Sequence, residues 1–151
     1  MANVVPYSFA QELLTGAHNF PTNTIYIALY EAGSGAPYAV SDTAYSSGTA
    51  NQVGTSGTGY TTGGKVLQNG TVANQTNVAT VTFDTISWTS ATFGAAYGVL
   101  YNNSSSDKLI VVLDFGGTKS CSNGTFTITF PSTSSSGPGA AGTNSLISIS
   151  S

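Results

Sequence analysis

The sequence predicts a mainly β domain: an antiparallel β-sandwich or jelly-roll-like fold with one short N-terminal helix and a flexible C-terminal arm. Three observations lead there. The second half of the chain alternates apolar and polar residues at period two, segment after segment, with turn residues between them. Helical spacing is confined to the start of the chain. Small polar residues and 18 glycines fill the intervals of a 151-residue chain, a length that suits one domain able to bury a core without disulfide or metal staples.

The elements can be taken in order. "PYSFAQELLTGAHNF" places Phe9 and Leu13, with Ala10 and Leu14 beside them, on one side of a helix over about 7–16. Pro6 suits its first turn and Gly16 its stop. "TIYIALYE" alternates Ile25, Ile27 and Leu29 against Tyr26, Ala28 and Tyr30, as a central strand does. From about 32 to 58 runs a long surface loop in which Tyr38 and Tyr45 are the only large side chains. "NVATVTFD" then sets Ala79, Val81 and Phe83 on one face, "ISWTSATF" adds Ile86, Trp88 and Phe93, and "AAYGVLYN" alternates Tyr97, Val99 and Tyr101. "NNSSSD" reads as the turn of a hairpin into "KLIVVLDF", an apolar run of the kind covered on both faces. "SNGTFTITFP" sets Phe126, Ile128 and Phe130 at period two after an Asn-Gly turn, and Pro131 ends the pairing. These elements make a single β-rich domain over 1–131.

Residues 132–151 differ in kind. "STSSSGPGAAGTN" is a Ser/Gly linker, yet it leads to "SLISISS", whose Leu146, Ile147 and Ile149 are too apolar for simple solvation. The segment is either a closing strand in its own domain or an arm that adds to a neighbouring subunit.

Charge narrows the range of partners. Charged residues make up 6% of the chain, against roughly 25% in ordinary soluble proteins. A surface kept soluble by neutral polar groups has weak self-repulsion and suits a protein packed into an assembly. Lys65, Lys108 and Lys119 are scattered and the net charge is −3, which argues against nucleic acid as a partner. No apolar run approaches the roughly 18 residues of a membrane span. "MANVVPYSFAQELL" lacks the basic start and apolar core of a secretion signal, so synthesis in the cytoplasm is expected. Cys121, the one cysteine, has no internal disulfide partner, and the Asn-Gly-Thr triplets at 69 and 123 follow from composition.

The stretch that looks most like chemistry is "GTGYTTGGKVL". From Gly59 it reads Gly-x-x-x-x-Gly-Lys, with Gly64 and Lys65 placed as in a phosphate-binding loop. Such a loop needs a buried strand before it, a helix after it and a Ser or Thr for magnesium. Here the upstream stretch is "NQVGTSGTG", the downstream one runs into Asn69-Gly70, and the hydroxyl position is Val66. The expectation is that Gly63-Gly64 lets the chain turn into a strand, with Tyr60 pinning that junction. His18 is the only histidine, which leaves no Ser-His-Asp arrangement in view and suggests a helix-end residue interacting with the dipole or solvent. One Cys and one His make no metal cluster, and Asp107 and Asp114 lack calcium-loop spacing. Asp84 and Asp114, near strand ends, leave a paired-carboxylate glycosidase formally open. The expectation is a non-enzyme with no cofactor and no metal; the tyrosines also permit a carbohydrate-binding module.

Several segments in order carry a resemblance. Gly59-Tyr60-x-x-Gly63-Gly64 comes first, then Trp88-Thr89-x-Ala91-Thr92-Phe93 and Ala95-x-Tyr97-x-Val99-x-Tyr101. Leu109-Ile110-x-x-x-Asp114-Phe115-Gly116 and Asn123-Gly124-Thr125-Phe126-Thr127-Ile128 follow. Together with the N-terminal helix and "TIYIALYE", over residues 7 to 130, the chain resembles a family of small tailed-bacteriophage virion structural proteins. The resemblance implies a non-enzymatic component of the phage particle. The expected member is a head decoration (cement) protein on the virion surface, a homotrimer bound to the major capsid protein. A neck, tail or baseplate component would carry the same segments. Phe9, Leu13, Tyr38, Tyr45, Leu146, Ile147 and Ile149 are the expected assembly contacts, from the helix, the long loop and the arm.

Overall fold

The computed structural model describes residues 3–47, 49–75, 78–130 and 147–150. The fold is mainly β, an antiparallel sandwich with one N-terminal helix, α1 (Tyr7–Leu14). Among the described residues seven strands follow: β1 (Ile25–Tyr30), β2 (Lys65–Val66), β3 (Thr71–Gln75), β4 (Val78–Thr82), β5 (Ile86–Asn102), β6 (Lys108–Ile128) and β7 (Ile147–Ser150). One sheet has the order β2-β1-β5-β6 and the other β3-β4-β7.

The alternation in "IYIALY" does what period two requires. Ile25, Ile27 and Leu29 face the core between the sheets, where they meet Trp88, Phe93 and Phe126 from the long hairpin, Val81 from β4, and Phe9 and Phe20 from the helical end. Ala28 and Tyr30 face the other way, with Tyr97, Val99, Tyr101, Leu109 and Val112, and the long loop covers them with Tyr38 and Tyr45. The first sheet is therefore buried on both faces, and Leu109 to Val112 are all core.

Two pairs of segments that read separately in the sequence are fused. "ISWTSATF" and "AAYGVLYN" form one 17-residue strand, β5, and "KLIVVLDF" and "SNGTFTITF" form one 21-residue strand, β6. The polar turn between them is real: a short 3-10 turn at Asn103–Ser105, then Ser106 and Asp107 in the left-handed region. Asn123-Gly124 is no chain reversal. It sits at a register break opposite Ala91, with Asn123 at φ 47° and Ser90 across from it at φ 51°. Asn-Gly signals a positive φ, and a bulge uses that as readily as a turn does. Asp114, expected near a strand end, lies inside β6 opposite Tyr97.

Among the described residues between 32 and 58 no strand forms, only bridges from Ala44 to Lys108 and from Gln52 to Tyr30. Side chains tie the loop down. Tyr45 stacks on Tyr101 at 4.0 Å and 6°, and Tyr38 Oη accepts the Ser46 N–H at 2.8 Å and contacts the Thr49 hydroxyl at 2.8 Å.

β1 has lost its neighbour beyond Ile27, because β2 is two residues long. The loop completes the edge: Val53 N–H donates to Leu29 O at 3.0 Å, and Glu31 N–H donates to Asn51 O at 2.8 Å. Leu29 N–H donates to Tyr60 Oη at 2.9 Å. Tyr60, 3% exposed, pins the junction as its place in the sequence suggests.

Candidate assembly surface

The helix presents a different face from the one its apolar spacing suggests. Phe9 is buried and Leu13 half-buried, but Ala10 is exposed and Leu14 is 91% exposed. The other inward position belongs to Glu12. His18 is likewise buried, not a solvated helix end.

Glu12 explains both departures. Its Oε1 accepts from Lys108 Nζ at 2.8 Å and its Oε2 lies 3.0 Å from His18 Nε2. The Asn102 amide nitrogen lies within 3.1 Å of His18 Nδ1, Ala17 O and Asn23 Oδ1, which share its two hydrogens. An ionised carboxylate can only accept, so the imidazole nitrogen facing it, Nε2, carries a proton. Burial alone would raise the Glu12 pKa; hydrogen bonds from Lys108 and His18 outweigh that and hold it below the usual carboxylate value. The arrangement fastens α1 and the following turn to the start of β6. It offers no chemistry for acyl transfer, since both ring nitrogens of His18 face Glu12 and Asn102 rather than a hydroxyl or thiol.

Fixed in this way, the end of the helix and the turn after it stand against the second sheet and leave a groove of about 440 Å³ between them. Leu13, Phe20 and Pro21 form one wall; Val72, Ala79 and Val81 form the other. Val72 is 50% exposed and Pro21 is exposed; Leu14, outside the groove's lining, is 91% exposed. No Asp, Glu, Lys or Arg side chain lines the groove. An apolar depression with an exposed large side chain in its lining is what protein contact surfaces present.

The expected contact residues divide. Leu13 lines the groove. Phe9 also lines the groove while packed in one core at 4% exposure; Tyr38 is packed in the other core at 6%, and Tyr45 is stacked on Tyr101. The backbones of Ile147 and Ile149 pair with Val81 and Ala79 of β4, and Leu146 lies outside the described residues. Leu14 and Val72 are the contact candidates that sequence reasoning missed.

Other sites read from the sequence have local explanations. Gly64 packs against the Ile27 carbonyl and Ala28 Cα, where no side chain fits. Lys65 Nζ donates to Ser87 O at 2.7 Å and lies 5.5 Å from the centre of the Trp88 ring. The stretch Gly59 to Lys65 thus joins a loop to β2 and has no helix behind it. Asp84 Oδ2 accepts from Asn69 Nδ2. Among the described residues no group of three His, Cys, Asp or Glu side chains could hold a metal ion, and no helix is long and apolar enough to cross a membrane.

Comparison with protein-family models, with curated proteins and with solved structures finds no match to this chain.

Proposed function

We propose that the protein is a non-enzymatic structural component of a tailed-phage particle, a capsid decoration (cement) protein that binds as a homotrimer at junctions between major capsid protein subunits. The observation that carries this reading is the apolar groove between α1 and the second sheet, with Val72 and Pro21 exposed in its lining. Covering side chains of that size stabilises a contact by about 1.5–3 kcal/mol each. A subunit with 6% charged residues brings little repulsion to a crowded lattice.

The segments that carry the family resemblance support the reading from another side, because each has a structural duty. Tyr60 and Gly64 close the edge of β1, Trp88 fills the core, and Tyr97 to Tyr101 hold the long loop. The phenols meanwhile favour assembly over sugar binding: Tyr30, Tyr38, Tyr60, Tyr97 and Tyr101 are buried, and few rings are left to stack on a glycan.

A reconstruction of the particle tests the proposal. Copies spread over the head at subunit junctions are the expected result. A single ring at a vertex would move the protein to the neck or tail, and retention on a glycan array with no particle density would support the carbohydrate-binding alternative.

A further inference from the structure

The second sheet is closed by a strand that the chain reaches through a long connection. Ile147 pairs with Val81 and Ile149 with Ala79, while β4 holds β3 on its other side. The connection starts near where it ends. Phe130 packs edge-on against Phe83 with 5.8 Å between ring centres, and Phe83 is two residues from Val81. A hairpin closes such a span with about 2–5 residues. Here the sequence has sixteen, 131–146, of which ten are Ser, Thr or Gly and none is charged. At full extension that many residues reach roughly 50 Å, beyond the roughly 30 Å diameter of a small domain.

We propose that β7 is an exchange strand: the β4 edge takes Ile147–Ser150 from a second copy of this chain, giving a strand-swapped homo-oligomer. The proposal rests on the homo-oligomer part of the reading above and not on its capsid part. The ladder on β4 is the same whichever copy supplies the strand, so its hydrogen bonds do not discriminate. Two other effects do. The tether favours the chain's own strand, with an effective concentration in the millimolar range, roughly a hundredfold to a thousandfold above a micromolar partner.

The opposing effect is surface that only a second copy covers. Ala79 and Val81, the residues that pair with β7, also line the apolar groove. A copy that delivers its strand there is brought against Leu13, Pro21 and Val72, of which Pro21 is exposed and Val72 is 50% exposed. Covering each exposed side chain strengthens association about tenfold to a hundredfold. Two of them together match the tether, and the sixteen-residue connection supplies the reach.

The test places one cysteine on each strand, Ala79→Cys with Ile149→Cys, in a Cys121→Ser background. Oxidised at micromolar concentration and separated under denaturing conditions without reductant, this variant is expected to run as covalent dimers or trimers. Single chains with an internal disulfide would overturn the proposal. Sedimentation of the unaltered chain gives a second reading: a mass two or three times that of one chain, falling to one on truncation after Phe130. A monomeric full-length chain, or an oligomer that survives the truncation, overturns the exchange whatever the cysteines do. Either result leaves binding to particles to be decided by the reconstruction.

Discussion

Glu12 and Lys108 are 96 positions apart and meet at 2.8 Å, joining α1 to the start of β6. The Glu12 carboxylate is buried and its pKa is held low, so the sign of its pH effect is fixed. A depressed folded-state pKa contributes stability above the unfolded value of about 4.3, and the contribution is lost as pH falls through the folded value. Thermal melting should therefore lose this increment below about pH 4. Glu12→Gln should destabilise at neutral pH by about 1–3 kcal/mol, because Lys108 and His18 lose their charged acceptor. The difference between variant and parent should vanish in acid. Melting temperatures across the acid range check this, and an equal difference at every pH would refute it.

Gly64 and Gly57 have similar backbone angles, φ 83° and 71°, and opposite surroundings. A methyl at Gly57 meets nothing within 4 Å, whereas one at Gly64 overlaps the backbone of Ile27. Gly57→Ala should cost about 1 kcal/mol, the strain of a left-handed residue. Gly64→Ala adds displacement of β1 to that strain, and should cost about 3 kcal/mol or more, or yield insoluble protein. Denaturant melts of the two variants make the comparison.

Part of this was legible from residue patterns. Period two in "IYIALY" marks both cores because a strand has only two faces, and Gly63-Gly64 beside Tyr60 marks a tight junction because few residue types accept that backbone. Leu14 was not legible. Helical spacing places it near Leu13, but it is the last helical residue, and the inward place went to Glu12, whose partners lie far along the chain. One signal was available: in a chain this poor in charge, an acid three residues after Phe9 and one before Leu13 needs a partner. Asn123-Gly124 misled for a different reason. The dipeptide specifies a dihedral angle, and whether the chain turns or bulges there is decided by the strand opposite.

Leu14 and Val72 separate stability from assembly. Leu14 is almost wholly in water and Val72 half so, so Leu14→Ser should change folding stability by less than about 0.5 kcal/mol and Val72→Ser by about 1 kcal/mol. If the groove is the contact surface, the double variant should lose capsid binding by about tenfold or more in co-sedimentation with particles. Full binding by a stable double variant would remove the groove from the interface.

The buried tyrosines set an alkaline limit. Burial is the main cause that raises the pKa of Tyr30, Tyr60 and Tyr101, with Tyr60 pushed up to about 12. The folded state thus keeps phenols protonated that the unfolded chain would ionise near pH 10. A raised pKa of this kind stabilises below the unfolded value and is lost as pH rises through the folded one, so unfolding should set in above about pH 10. Phenolate absorbance should then appear together with loss of the β signal in circular dichroism. Gradual titration of all eight tyrosines with the fold intact would contradict this.

Tyr60→Phe isolates one hydrogen bond from the packing around it. The ring stays between Trp88 and Phe93, at 6.4 and 5.9 Å, while the Leu29 N–H and the Gln52 amide lose their acceptor. Leu29 is fully buried, and no strand runs beside it on that edge to take over. An orphaned buried N–H costs about 1–3 kcal/mol, and Tyr60→Ala, which also empties the ring's place, should cost about 3–5 kcal/mol. Hydrogen exchange at Leu29 should accelerate in the Phe variant more than at Ile27, which keeps its pairing with Lys65. Lys65→Ala should cost only about 0.5–1 kcal/mol from the lost Trp88 contact. In none of these variants, nor in the parent, should nucleotide raise the melting temperature, and such a rise in the parent would restore the phosphate reading of Gly59 to Lys65.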